Sequence, residues 1–140
     1  MKMRKSALVI AVTLLISSSA LAAETVVFEG TPLFKGVSTP ADSFTEKLQG
    51  EQQRSSQLII TKNGNNYFWF SREKKPLRYF KSGDIHYFVR TDHSDFVKIT
   101  DAPTNLGEGL KSAKFLYMES ISDGMKGTIN YWGYADKLEL

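Results

Sequence analysis

The chemistry-bearing residues of this chain crowd into one short stretch, Arg72-Glu73-Lys74-Lys75-Pro76-Leu77-Arg78. From Arg72 to Lys81 there are five basic residues and one acidic one, directly after Phe68-Trp69-Phe70 and beside Tyr79-Phe80. Guanidinium and ammonium groups next to aromatic rings suit a phosphate, a carboxylate or an acidic protein surface. Arg can grip such a group with two parallel hydrogen bonds, and the rings can stack or pack on what surrounds it. Arg72, Lys74, Lys75, Arg78, Lys81, Trp69 and Tyr79 are therefore the candidate contact residues. The alternative is a solvated connection whose charges keep a sheet edge from aggregating.

A second cluster is Asp92-His93-Ser94-Asp95, in which oxygen ligands and an imidazole invite a metal or hydrolytic reading. Four consecutive turn residues point in different directions, however, and a triad needs its members assembled from separate places. Asp and Ser also favour turns for their own backbone hydrogen bonds, so a plain turn is expected here. His86 reads as an ordinary strand histidine opposite Tyr79. No third or fourth ligand can be named for a zinc site with His86 and His93. No hydrolase elbow, HExxH, phosphate-binding or dinucleotide-binding motif is present, so neither a metal nor a cofactor is expected. The third cluster, Tyr131-Trp132-Gly133-Tyr134, places alternating aromatics on a late strand. With an open barrel mouth, Trp69, Trp132 and Tyr134 would be the rings lining a ligand cavity.

The elements that must carry these residues read as hairpins. Asn63-Gly64 lies between Leu58–Lys62 and Asn65–Phe70, with Ile60 expected opposite Tyr67. That register puts Leu58, Ile60, Tyr67 and Trp69 on one face. Ser82-Gly83 predicts a second hairpin with Phe80 opposite Ile85, and a further strand follows at Phe96–Thr100. Asp123-Gly124 predicts a third, with Met118 opposite Ile129, Leu116 opposite Tyr131 and Phe115 opposite Trp132. Leu110, Ala113, Tyr117 and Ile121 also recur at helical spacing; a strand from Lys114 after a helical turn over Gly107–Ala113 is preferred. Towards the N-terminus a strand is expected over Glu24–Gly30. Residues 38–57 read either as one short helix capped by Ser43 and Glu46 or as a mobile loop. The expected fold is mainly β: a small single-domain antiparallel β-sandwich or barrel built from hairpins, with at most one or two short helices.

Residues 1–22 give the address. Lys2, Arg4 and Lys5 precede an apolar stretch from Ala7 to Ile16 and the small residues of Ala20-Leu21-Ala22, the pattern of a cleavable signal peptide. The stretch is shorter than the ~20 residues a spanning helix needs. Cleavage near Ala22 would deliver residues 23–140 to a bacterial periplasm or beyond, not spanning a membrane. It would also take three of the 18 basic residues, leaving 15 against 15 acidic ones. The sequence pI near 9.1 therefore belongs to the leader, and no nucleic-acid partner is expected. The chain has no Cys, which excludes disulfides, thiol nucleophiles and thiolate metal sites. The expected function is a non-enzymatic binding module of inhibitor, immunity or accessory type. It would act on another envelope or extracellular protein, or an anionic ligand, through the basic-aromatic loop. The alternatives are a small-ligand carrier with an aromatic-lined cavity and an enzyme of unknown type.

Overall fold

Gly64 and Gly83 set the first two hairpins. Their φ angles are 62° and 59°, and neither Asn65 nor Asp84 has a positive φ. Glycine thus takes the first central position, as in a type II′ turn, and the turns are Gly64-Asn65 and Gly83-Asp84. Each lies one residue later than the sequence suggests. Strand β3 (Leu58–Asn63) pairs with β4 (Asn66–Trp69) as Ile60 with Trp69, and not with Tyr67. Strand β5 (Lys75–Ser82) pairs with β6 (Ile85–Arg90) as Phe80 with Tyr87, and His86 lies opposite Lys81, not Tyr79. Moving a turn by one residue shifts partners by two. The side chains therefore keep their faces, and Leu58, Ile60, Tyr67 and Trp69 do share one.

The computed structural model describes residues 24–103, 110, 113–122 and 124–140. Most of the predicted turn over Gly107–Ala113 and all of the predicted signal peptide lie outside them. Strand β1 (Glu24–Ser38) is twice as long as the predicted Glu24–Gly30, at 15 residues. Its first half pairs with β3 and its second with β9 (Thr128–Ala135). Bulges between Val26 and Phe28, and between Pro32 and Phe34, let it bend from one partner to the other. Pro32, which has no N–H to offer a ladder, sits at the second of these. Strands β7 (Phe96–Asp101) and β8 (Phe115–Ser122) complete the meander, and the β1–β9 pairing closes eight antiparallel strands into a barrel. This decides between the expected sandwich and barrel.

Two sequence expectations give way. Ser43–Lys47 is a strand, β2, antiparallel to the second half of β1, and not a capped helix. The helix comes later, as α1 (Glu51–Ser55), and Gly50 precedes it at φ 53°. The β8–β9 connection is also longer than the Asp123-Gly124 turn allows. It contains a 3₁₀ turn at Gly124–Lys126, so Met118 pairs with Trp132 and Leu116 with Tyr134.

Eight strands enclose an interior that side chains just fill. Phe28, Leu58, Ile60, Trp69, Phe88, Val97 and Ile99 are buried there. The Tyr117 ring meets Phe28 edge-on, with centroids 5.7 Å apart. It fits because Gly30 and Gly133 present no Cβ to it. Its hydroxyl is buried with no hydrogen-bond partner among the described residues. A buried hydroxyl left unpaired costs about 1–3 kcal/mol. Tyr117→Phe is accordingly expected to raise stability by about 1 kcal/mol, read as a higher midpoint in urea denaturation with an unchanged slope; a lower midpoint would refute it.

Candidate functional site: a charged cleft at one barrel end

Glu119 is the only carboxylate on β8, and the strand's alternation sends it inward beside Val97 and Tyr131. It is fully buried. Trp69 Nε1–H donates to its Oε2 at 2.7 Å, while Arg72 donates from Nη2 to Oε1 at 3.0 Å and from Nε to Oε2 at 3.3 Å. Burial pushes the Glu119 carboxyl up from its ordinary value, and the bonds from Arg72 and Trp69 oppose that rise. Burial also works against the charge on Arg72, but Glu119 outweighs it and raises the guanidinium's pKa. The same guanidinium lies 5.2 Å over the Tyr131 ring, which Lys35 Nζ approaches at 6.0 Å.

The loop that delivers Arg72 is strained. Glu73 and Lys74 have φ of 58° and 55°, the left-handed region that non-glycine residues avoid. Each costs roughly 1–2 kcal/mol, so the surroundings must impose the conformation. Arg72 N–H donates to Trp69 O at 3.0 Å, and Lys75 N–H to Arg72 O at 3.3 Å. Lys74 Nζ reaches Glu24 at 2.9 Å. With the Arg72–Glu119 pair, these contacts hold the loop at both sides of the strained residues.

The β6–β7 connection supplies a second anchor. Asp95 is buried and accepts the Ser122 N–H at 2.7 Å and Arg90 Nη1 at 3.2 Å. His93 Nδ1 lies 3.0 Å from the same Oδ1 that takes the Ser122 N–H, Arg90 Nη1 being on Oδ2, and Arg90 Nε reaches Asp92 at 2.9 Å. Asp92 in turn raises the pKa of Arg90. The Asp92–Asp95 segment is a turn, as expected, and its last residue braces β6 against the end of β8. Among the described residues no group of three or more His, Cys, Asp or Glu could hold a metal ion. Between the two anchors opens a cleft of ≈ 280 Å³, lined by Trp69, Arg72, Glu73, Lys75, Arg90, Asp95 and Ile121.

The pleat divides the sequence-derived candidates. Trp69, Arg72 and Lys75 meet in the cleft. Lys74 lies outside the barrel, 5.4 Å over Phe68, and Arg78 lies outside, 5.9 Å over Phe80. Tyr79 points inward, its hydroxyl 2.8 Å from His86 Nδ1, and Lys81 stands opposite His86 towards the other end. Burial and Lys81 lower the His86 pKa. The three rings proposed for a cavity are not gathered: Trp69 is inside, while Trp132 and Tyr134 alternate outward from buried Tyr131, Gly133 and Ala135. Arg90 and Glu119 are absent from the sequence-derived clusters, while Asp95 and Tyr131 belong to the second and third of them but serve here as a brace and a ring under Arg72. A lone Glu in the apolar run Phe115–Ile121 was the one available signal. No family model matches the chain, and neither does a curated protein or a solved structure.

Proposed function

We propose that the protein is an exported, soluble, non-enzymatic binding module of inhibitor, immunity or accessory type. It acts in the periplasm or beyond after cleavage near Ala22, and its loop between β4 and β5 takes an acidic group of another envelope or extracellular protein. The supporting observation is the Glu73-Lys74 pair, held left-handed between two ion pairs. Strain retained under such clamping is characteristic of preorganised contact loops. The cleft, at ≈ 280 Å³, has room for an acidic side chain beside Arg72 and Lys75. The filled interior favours this reading over a carrier.

The test is affinity capture from an envelope extract, with wild type beside Lys74→Glu/Lys75→Glu. Arg72 is left in place because it braces Glu119. One protein retained by wild type, bound at least about tenfold more weakly by the folded variant, is expected from charge reversal at a contact loop. The same retention on both baits, or none on either, would refute the proposal.

A further inference from the structure

Outside the barrel, strand register builds a second surface that the cleft does not use. Reading across neighbouring strands, Phe80 lies beside Tyr87, Tyr87 beside Lys98, Lys98 beside Met118, Met118 beside Trp132, Trp132 beside Phe34 and Phe34 beside Lys47. At the ~4.8 Å spacing of paired strands, this outward row runs roughly 29 Å round the barrel. Phe34, Phe80 and Trp132 are about 40% exposed, at 41%, 40% and 39%. Phe80 and Tyr87 stack with centroids 5.0 Å apart and 12° between planes. The Trp132 ring lies across Gly36, where any Cβ would meet it.

Charge on this face has one sign. On β2, on β5 to β9 and on the second half of β1, the carboxylates are Glu46, Asp101 and Glu119, and all three alternate to the opposite face from the row. The outward charges on these strands are Arg78, Lys98 and Lys47. An exposed aromatic row with cations and no carboxylate complements an anionic partner. No residue of the row lines the cleft beside Trp69 and Arg72 or the opening beside Val27 and Asp136. The row stands on the outside of a closed barrel, where its exposed rings can sink into a deformable surface. Trp and Tyr favour that water–hydrocarbon boundary, and Lys and Arg favour anionic headgroups beside it.

We propose that the outer face running from β5 to β2 lies against an anionic lipid bilayer surface, with Trp132, Phe34 and Phe80 entering the headgroup layer and Lys47, Lys98 and Arg78 meeting its charge. This leaves the cleft free for a second partner. Residues 24–140 contain every strand pairing described for the barrel, and their circular dichroism spectrum checks that they fold. They carry 15 basic and 15 acidic residues, because residues 1–23 hold three of the 18 basic residues and none of the acidic ones, so net charge cannot drive the binding.

The experiment is co-sedimentation of residues 24–140 with phosphatidylcholine vesicles, with and without about 30% phosphatidylglycerol. Binding to the anionic vesicles alone is expected, with a blue shift in Trp132 emission; Trp69, already buried against Glu119, should not respond. Lys47→Gln/Lys98→Gln and Trp132→Ala should each weaken binding at least about fivefold while leaving the circular dichroism spectrum unchanged. The Lys74→Glu/Lys75→Glu loop variant should bind vesicles as wild type does. Equal binding to both vesicle types, or anionic binding unaltered by the row variants, would overturn the assignment. So would retention on immobilised polyglutamate without vesicle binding, which would give the face to an acidic protein.

Discussion

Arg72→Met is expected to remove about 3 kcal/mol of stability near pH 8, and much less near pH 5. The cost arises because the Glu119 carboxylate is 1% exposed and keeps only the Trp69 N–H once Arg72 is gone. Breaking a buried pair from one side costs about 3–5 kcal/mol; the low end applies because the Arg72 side chain is 34% exposed and water can partly replace it. The pH dependence follows from the raised Glu119 pKa. A carboxyl whose folded pKa lies above its unfolded value binds its proton more tightly in the folded protein. Stability is therefore fully favoured below the unfolded value near 4.5, and is lost as pH rises through the folded one. Both influences of Arg72 on Glu119 lower that pKa, so the variant's window extends further upward. With its Glu119 pKa raised further than in wild type, the variant takes up the proton at a higher pH, so the deficit shrinks as pH falls. Urea denaturation of both at the two pH values measures this directly. Adding Glu119→Gln to the variant removes the stranded charge and should restore most of the loss. An equal deficit at both pH values, or no recovery with Gln, would show that Arg72 contributes through packing alone.

The dependence of the site on this pair also explains how much of it the sequence discloses. Facing pattern is local information. Leu58, Ile60, Tyr67 and Trp69 alternate with their neighbours, and a two-residue change of partners cannot move them off their face. Glycine at Gly64 and Gly83 marks the turns, but the preference for Gly in second place misdirects the register when the chain uses a type II′ turn. In the β8–β9 hairpin the displacement is odd. The predicted sum of paired positions is off by three, which pairs Met118 with Trp132 instead of Ile129 and exchanges which residues share a face. The cleft depends on the longest-range information of all. Trp69 and Arg72 meet Glu119 from 50 and 47 residues away, and the meeting exists only once β1 closes the barrel against β9. Strand β2 escapes notice for a different reason. Its five residues are all exposed, so no apolar alternation announces it, and only pairing with β1 makes it a strand.

Closure of the barrel turns on a residue with no side chain, and Gly133→Ala should be among its most damaging single substitutions. Gly133 stands on β9 opposite Tyr117 of β8 and Pro32 of β1. A Cβ there would collide with the backbone oxygen of Thr31, and would lie 2.7 Å from both Cε1 and the hydroxyl of Tyr117. The Thr31 oxygen belongs to the seam between β1 and β9, so it retreats only if the seam opens. Tyr117 is buried and pressed against Gly30 on its other side, so its ring has no free direction either. Overpacking of this kind costs about 3 kcal/mol, or roughly 12 °C in Tm at about 4 °C per kcal/mol for a domain of this size. Tyr117→Phe in the same background takes away only the hydroxyl contact and should recover a minor part. Gly36→Ala is the matched control: its Cβ would meet Trp132 atoms at 2.7 and 2.8 Å, but that ring is partly exposed and can lift off β1. A loss below about 1 kcal/mol is expected there, together with a change in Trp132 emission. Once the β1–β9 seam opens, two unpaired edges are exposed, and self-association should rise with the loss of stability in Gly133→Ala and not in Gly36→Ala. Thermal melts and light scattering on the three variants test the order. If Gly133→Ala melts within a few degrees of wild type, the seam can yield, and closure rests on the remaining length of the strand pairing instead.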